Sequence, residues 1–594
     1  MFLRRCERRK SGKTHSYWAL VESYRTAKGS RQRVVAYLGE LKPSQKPGWA
    51  ALGKRLQPHE RPQPSLFDPP PCEDVDEDVL VQLRGVRLEN LRDFGDVWLA
   101  WGLWRLLGLD TLLAGLLPAG REDVPWGNVA AILTIARFCA PGSEFHIEHT
   151  WYRRTSLHEL IDVPAAQVHT DRLYAGLDRL LAHKDAIEKH LHQRLRHLFD
   201  CDYDLLLYDI TSTYFEGDVA ANPLAQRGYS RDSRPDRPQV CIGLVVTRDG
   251  LPLAHEVFAG NRHDSTTVQE IVATMEAKFG RAKRVWVMDR GMVSEANLRF
   301  LRERGGQYIV GTPKAMLRQF EAHLSAPDWQ TVQAGVEVKL VPGPDGDEVF
   351  VLTRSADRQQ KEQAMLERFV VRLEKGLQQM QKSAASGRLK DEGEANRRLG
   401  RLLEQNWRAS RMFRVRIERV AEPIGKARLH VAYERDPASA DWATLSHGCY
   451  LLRTNLVQMP TTELWKHYMQ LVEAEWAFRI AKDELRLRPI WHQRDDRVRA
   501  HILVCFLAYV LWKTLAQWMR PSGLGDAPRT VVSEFAKIKS GDVVLPAISN
   551  DGTRRELRLR CVTAPDPAQK VLLNRLGLTL PRRLRRPEDR LPVY

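Results

Sequence analysis

At 594 residues and 68.2 kDa the chain exceeds what one hydrophobic core organises, so several domains are expected. With 43% hydrophobic and 28% charged residues it can bury sizeable cores, which excludes wholesale disorder and collagen-like or low-complexity chains. The 91 Lys and Arg against 74 Asp and Glu leave a net charge of +17, an excess that attracts polyanions and points toward nucleic acid.

The cysteines lie singly without a CxxC pair, which argues against a zinc ribbon or a disulfide framework and fits a reducing compartment. The N-terminus meets Arg4 and Arg5 before any apolar signal core. The apolar stretch 98–117 carries Arg105 and Asp110, and the uncharged 501–512 is too short to cross a bilayer. The expectation is an intracellular, soluble protein without a membrane part.

Residues 1–42 read as a small basic β-hairpin unit, with ten Lys and Arg among the first 33 residues and strand-like runs on either side of Lys28-Gly29. A proline-rich stretch closed by the acidic cluster Glu73-Asp74-Asp76-Glu77-Asp78 makes 43–80 a linker. Apolar residues at helical spacing, interrupted by prolines, make 81–200 a helical domain, to which the family resemblance given below adds DNA binding. Beyond Cys201 the period changes. Strands are expected at 205–208, 239–247 and 251–258, the last two joined by an Asp249-Gly250 turn. A helix over 265–279, a strand over 285–288, a helix over 294–304 and a strand over 308–310 follow. The order βββαβαβ, closed by a helix over 461–487, is the ribonuclease-H-like arrangement, an α/β fold with a mixed sheet. It assigns 201–313 and 446–520 to one catalytic domain, with 314–445 as an inserted domain and 521–594 as a basic C-terminal tail.

Asp209 and Asp289 are placed at the tips of the first and fourth strands, so neighbouring strands bring both carboxylates to one sheet edge. Two such charges about 4 Å apart repel by roughly 4 kcal/mol at an effective dielectric near 20, which favours a divalent cation between them. All-oxygen ligands suit magnesium. A third acid is expected on the closing helix, where Trp465, Met469, Val472, Trp476 and Ile480 form the stripe facing the sheet. Glu475 borders that stripe and shares a helix face with Tyr468 and Lys482, while Glu473 borders its other side.

Tyr468-x2-Leu471-x3-Glu475-x6-Lys482 resembles the Tyr-x2-Arg-x3-Glu-x6-Lys signature of insertion-sequence transposases of family four, with Leu471 in place of Arg. The contexts from Tyr208 to Gly217 and from Val287 to Met292 resemble the two aspartate blocks of those DDE enzymes. The resemblance implies a cut-and-paste DNA transposase, in which Asp209, Asp289 and Glu475 are the catalytic metal ligands for two Mg2+ ions, replaceable by Mn2+. Lys482, Tyr468 and Arg290 are the implied DNA phosphate contacts. The implied partners are double-stranded DNA, as terminal inverted repeats and as target, and a second copy of the chain in a homodimeric synaptic complex. A nuclease or resolvase without strand transfer, and a DNA-binding protein that has lost catalysis, are the alternatives. Ser11-Gly12-Lys13-Thr14 is no phosphate loop, because Glu7 stands where the first glycine is required.

Overall fold

In the computed structural model, which describes residues 2–10, 13–26, 29–39, 80–118, 120–201, 203–281, 283–343, 346–420, 427–548 and 554–584, nine strands form one mixed sheet. Five of them take the spatial order Pro252–Ala259, Gln239–Thr247, Leu205–Tyr214, Val285–Met288, Gln307–Gly311. The first three pair antiparallel with one another, and the last three are mutually parallel. The two helices that follow the third and fourth strands of this set in sequence, Val268–Phe279 and Glu295–Glu303, carry the chain between parallel strands.

Alternation along the strands gives each sheet face its own core. Leu206, Tyr208, Trp286, Met288, Tyr308 and Val310 pack on those two helices through Ile271, Met275, Leu298 and Leu301. Leu205, Leu207, Val287, Ile309 and Leu452 join the larger core on the opposite face, which includes Leu464, Leu471, Ala474 and Phe478. Asp209 follows Leu205 and Leu207 at the two-residue period and so belongs to this second face.

The stretch 314–445 does not stand apart from the sheet. Its strands Gln330–Gln333, Val336–Pro342 and Val349–Ser355, with Cys449–Thr454, extend the sheet beyond Gln307–Gly311. What leaves the sheet is a helical hairpin, Ala356–Ala385 and Glu392–Gln405, packed on the two-stranded Phe413–Arg419 and Leu429–Arg435.

The helical region begins at Gly95, because Arg87–Asp93 is a strand paired with Lys539–Ile548. Its helices Trp126–Cys139 and Thr170–Leu181 pack against Asp495–Met519. That 25-residue helix is long and apolar enough to cross a membrane, yet 89% of its most apolar window is buried inside the protein, where it serves as a core helix. Residues 521–548 and 554–584 fold: a helix at Pro528–Phe535, the antiparallel pair Lys539–Ile548 and Arg554–Val562, and a helix at Pro567–Leu576 opened by a capping box from Asp566. Within 1–42, Phe2–Lys10 adds a third strand to the expected pair Lys13–Thr26 and Gly29–Gly39. The linker 43–80, apart from Leu80, and the basic residues Arg585 and Arg586 lie outside the described residues.

Candidate active site

Two adjacent parallel strands set the first two acids. Tyr208 pairs with Met288 in register, so the residues that follow them, Asp209 and Asp289, emerge side by side. Asp209 is not at the tip of its strand, as expected from the sequence, but at its middle, because pairing with Gln239–Thr247 continues to Tyr214. Asp289 does leave its strand and leads into a single turn at Arg290–Met292.

The third acid comes from the closing helix, which is not one continuous rod. It breaks after Thr461–Met469, resumes at Val472–Arg479 and ends in a wide turn at Ile480–Glu484. The break shifts the helical phase, and this corrects the expected buried stripe. Trp465 is buried, but Met469, Val472 and Trp476 are exposed, whereas Leu464, Leu471, Ala474, Ala477 and Phe478 face the core. Glu475 therefore shares an exposed face with Val472, Trp476 and Arg479, at spacings of three and four residues. The Arg479 guanidinium lies 5.0 Å from the centre of the Trp476 ring. Leu471, at the position of the signature arginine, is buried and offers no charge there. Glu473 is engaged elsewhere: its carboxylate pairs with Lys513 at 2.7 Å, over the turn at Gly250.

The electrostatics tie the acids together. Burial, reinforced by the Asp289 and Glu475 charges, pushes the Asp209 carboxyl up to about 7, against a backbone N–H from Ile210 at 2.8 Å and the Arg231 guanidinium, which favour its ionised form. Glu475 is raised by burial and by Asp289. Three carboxylates close enough for the Asp289 charge to raise both of the others are a hard, all-oxygen donor set, which fits divalent cations of the magnesium and manganese class.

Tyr468 donates to Asp289 Oδ1 at 3.4 Å, and burial followed by that carboxylate raises its phenol above the ordinary range. Gly311 makes this approach feasible, since a Cβ there would come within 2.6 Å of the Tyr468 hydroxyl. Arg290 is exposed and lines a cleft of about 490 Å³ with Asp289, Lys314, Arg358, Tyr450 and Tyr468.

Lys482 is placed differently from the sequence expectation. Its ammonium donates to the Ser212 carbonyl at 2.7 Å and to Asp232 at 2.9 Å, and its side chain is only 9% exposed. Burial lowers its pKa, opposed by Asp232. Sequence reading missed Arg231 and Asp232, which lie in a loop without periodicity, whereas Asp264 stands out by its closeness in sequence to the elements that carry the acids. Arg231 grips both oxygens of Asp264 at 2.6 Å.

A second cluster needs separating from this one. Among the described residues, Glu144, His492 and His501 are the one group of three potential ligands whose donor atoms lie within 4.8 Å of one another. Arg137 already places a guanidinium 3.5 Å from His501 Nδ1, so this pocket holds its own positive charge. Burial keeps both imidazoles below their usual range. The carboxylate oxygens of Asp209, Asp289 and Glu475 do not all lie within 4.8 Å of one another.

The Asp209 environment has a consequence for stability. An aspartate near 3.9 when unfolded and about 7 when folded binds more protons in the native state between those values. The protein held free of divalent metal should therefore lose stability as pH rises from about 4 to about 7, by up to about 4 kcal/mol. Asp209→Asn removes the cost. In a chelator, thermal unfolding of this variant at pH 8 should occur at a higher temperature than that of the wild type, with the gap narrowing toward pH 4.

Comparison with known proteins follows the same division of the chain. Residues 202–511 match the transposase DDE domain, and residues 3–65 match the N-terminal domain of IS1634 family transposases. The N-terminal match thus names the IS1634 family and not family four, to which the Tyr-Glu-Lys spacing pointed. Among solved structures the chain is similar to piggyBac transposase in a synaptic complex with hairpin DNA, at 9% identity and a TM-score of 0.34, over 75% of this chain and 80% of that one. No match was found among curated proteins. With just over half of its length matched by that catalytic domain, the chain belongs to the transposase DDE domain family.

Proposed function

We propose that the chain is a cut-and-paste DNA transposase that cleaves at the terminal inverted repeats of its element and joins the freed 3′ ends to target DNA. The observation that carries this reading is the approach of Asp209, Asp289 and Glu475, from two paired strands and a helix, close enough that the Asp289 charge raises the pKa of both Asp209 and Glu475. Two Mg2+ ions, or Mn2+ in their place, held by these acids would supply a Lewis acid for the attacking hydroxyl and neutralise charge at the leaving oxygen. The ribonuclease-H-like sheet gives the acids a rigid base, and the stretch 314–445 extends it as an insertion.

The residues around the acids bind and orient DNA. Tyr468 is fixed by Asp289 beside the cleft, and Arg290 stands at the cleft's mouth as a phosphate clamp. Trp476 and Arg479, on the face that carries Glu475, offer a ring and a cation to a nucleotide near the scissile phosphate. Trp476→Ala should weaken binding of end DNA by about 1 to 3 kcal/mol, roughly 5- to 150-fold in Kd, as read by titration with fluorescent DNA. Two ends are cut in one event, so a homodimer in the synaptic complex is part of the reading.

The test separates a transposase from a nuclease on the same fold. Purified protein, a plasmid carrying the element's ends and Mg2+ should yield excised element and then products joined to a second plasmid through 3′ ends. Cleavage without joined product, under conditions that support cleavage at both ends, would favour the nuclease.

A further inference from the structure

We propose that the loop residues Arg231 and Asp232 form a brace that sets the spacing of the three acids, and that Lys482 is a positioning residue of this brace and not a DNA phosphate contact. The proposal rests on the reading of Asp209, Asp289 and Glu475 as the metal-holding site.

The brace begins on the helix that carries Glu475. Seven residues on, the Lys482 ammonium bonds to the carbonyl of Ser212, three residues past Asp209 on the same strand. This is a direct link between the elements that carry the first and third acids. The same ammonium bonds to Asp232, whose side chain is 3% exposed and also takes Arg488. Asp232 follows Arg231, whose backbone N–H donates to Ser212 Oγ at 3.1 Å and whose guanidinium holds Asp264. Asp264 in turn abuts the turn that carries Asp289, since a Cβ on Gly291 would lie 3.1 Å from its Oδ2. Ion pairs and hydrogen bonds thus run from the Glu475 helix, past the Asp209 strand, to Asp264, which packs against the Asp289 turn.

The loop that carries the brace is itself pinned. Gln239 donates to the carbonyls of Tyr229 at 3.1 Å and Gly260 at 2.7 Å, and a Cβ on Gly228 would meet the Gly260 carbonyl at 2.2 Å. A lysine with both partners satisfied and a side chain almost out of solvent is poorly placed to meet a phosphate. Withdrawing it would leave Asp232, one of whose oxygens is already buried without a partner, with Arg488 as its remaining cation. Residues that orient metal ligands from behind typically change metal affinity 10- to 100-fold when mutated.

The experiment uses the full chain and measures Mn2+ binding in the absence of DNA, by electron paramagnetic resonance of the free ion, alongside end-DNA affinity at several salt concentrations. Lys482→Met and Asp232→Asn should each weaken Mn2+ binding 10- to 100-fold, with DNA affinity and its salt slope those of the wild type, and excess Mn2+ should restore cleavage. A phosphate contact behaves otherwise. Lys482→Met would then lower the salt slope by about one with Mn2+ binding intact, and Asp232→Asn, by freeing the lysine, would tighten DNA binding; either result overturns the brace. If Lys482→Met fails to fold, the nearly isosteric Asp232→Asn decides alone. Failure of the underlying reading looks different: the wild type would bind no Mn2+, or Asp209→Asn would leave its binding unchanged.

Discussion

Asp209→Asn, Asp289→Asn and Glu475→Gln should each reduce metal-dependent cleavage of end DNA by about 10³-fold or more, while end-DNA affinity stays close to that of the wild type. Each substitution keeps the side chain's shape and removes one negative charge from the donor set. Losing several kcal/mol of charge stabilisation in the transition state corresponds to a rate loss of that size. Affinity for DNA is spread over many basic side chains, so it should survive. Glu473→Gln is the control. Its carboxylate holds Lys513 over the Gly250 turn, so its loss should cost stability and leave the cleavage rate of the folded protein near normal. Measured single-turnover rates at saturating metal distinguish these outcomes, and a cleavage defect confined to Glu473→Gln would move the third ligand.

DNA binding should fall steeply with salt. If the protein neutralises 6 to 10 phosphates, counterion release lowers affinity by about 10³ to 10⁵ between 50 and 200 mM salt. The charge for this is present, since the chain carries +17 overall. Arg290 and Arg479 are exposed around the acids, and Arg554, Arg555 and Arg558 lie on the strand that pairs with Lys539–Ile548. A titration of end DNA at four or five salt concentrations gives the slope, and a flat response would argue against DNA as the partner.

The parts of the fold written in apolar alternation were legible in the sequence. The strands Gln239–Thr247 and Val285–Met288 fall where expected, because each is an apolar run bounded by turn residues. The first strand was cut short at Tyr208, since its continuation Ile210-Thr211-Ser212-Thr213 is largely polar. Those hydroxyl side chains are nonetheless buried, and hydroxyls give no hydrophobic signal. The closing helix misled for another reason. A stripe extrapolated at constant period assumes an unbroken helix, and the break between Met469 and Val472 moves Trp476 from the core side to the surface.

The C-terminal strand Arg554–Val562 was hidden by its arginines, although Leu557, Leu559 and Cys561 alternate among them. At the site, the positions of Asp209, Asp289 and Glu475 could be singled out from strand and helix contexts. Arg231 and Asp232 could not, because their roles depend on side chains meeting across long sequence separations. The second of these bonds to Lys482 250 residues away.

Crystals of the protein with end DNA and Mn2+ test the central claim most directly. Anomalous scattering should place two manganese peaks about 3.5 to 4 Å apart, bounded by Asp209, Asp289 and Glu475. A structure with DNA seated in the cleft and no manganese among these three carboxylates, or with manganese only between Glu144, His492 and His501, would contradict it.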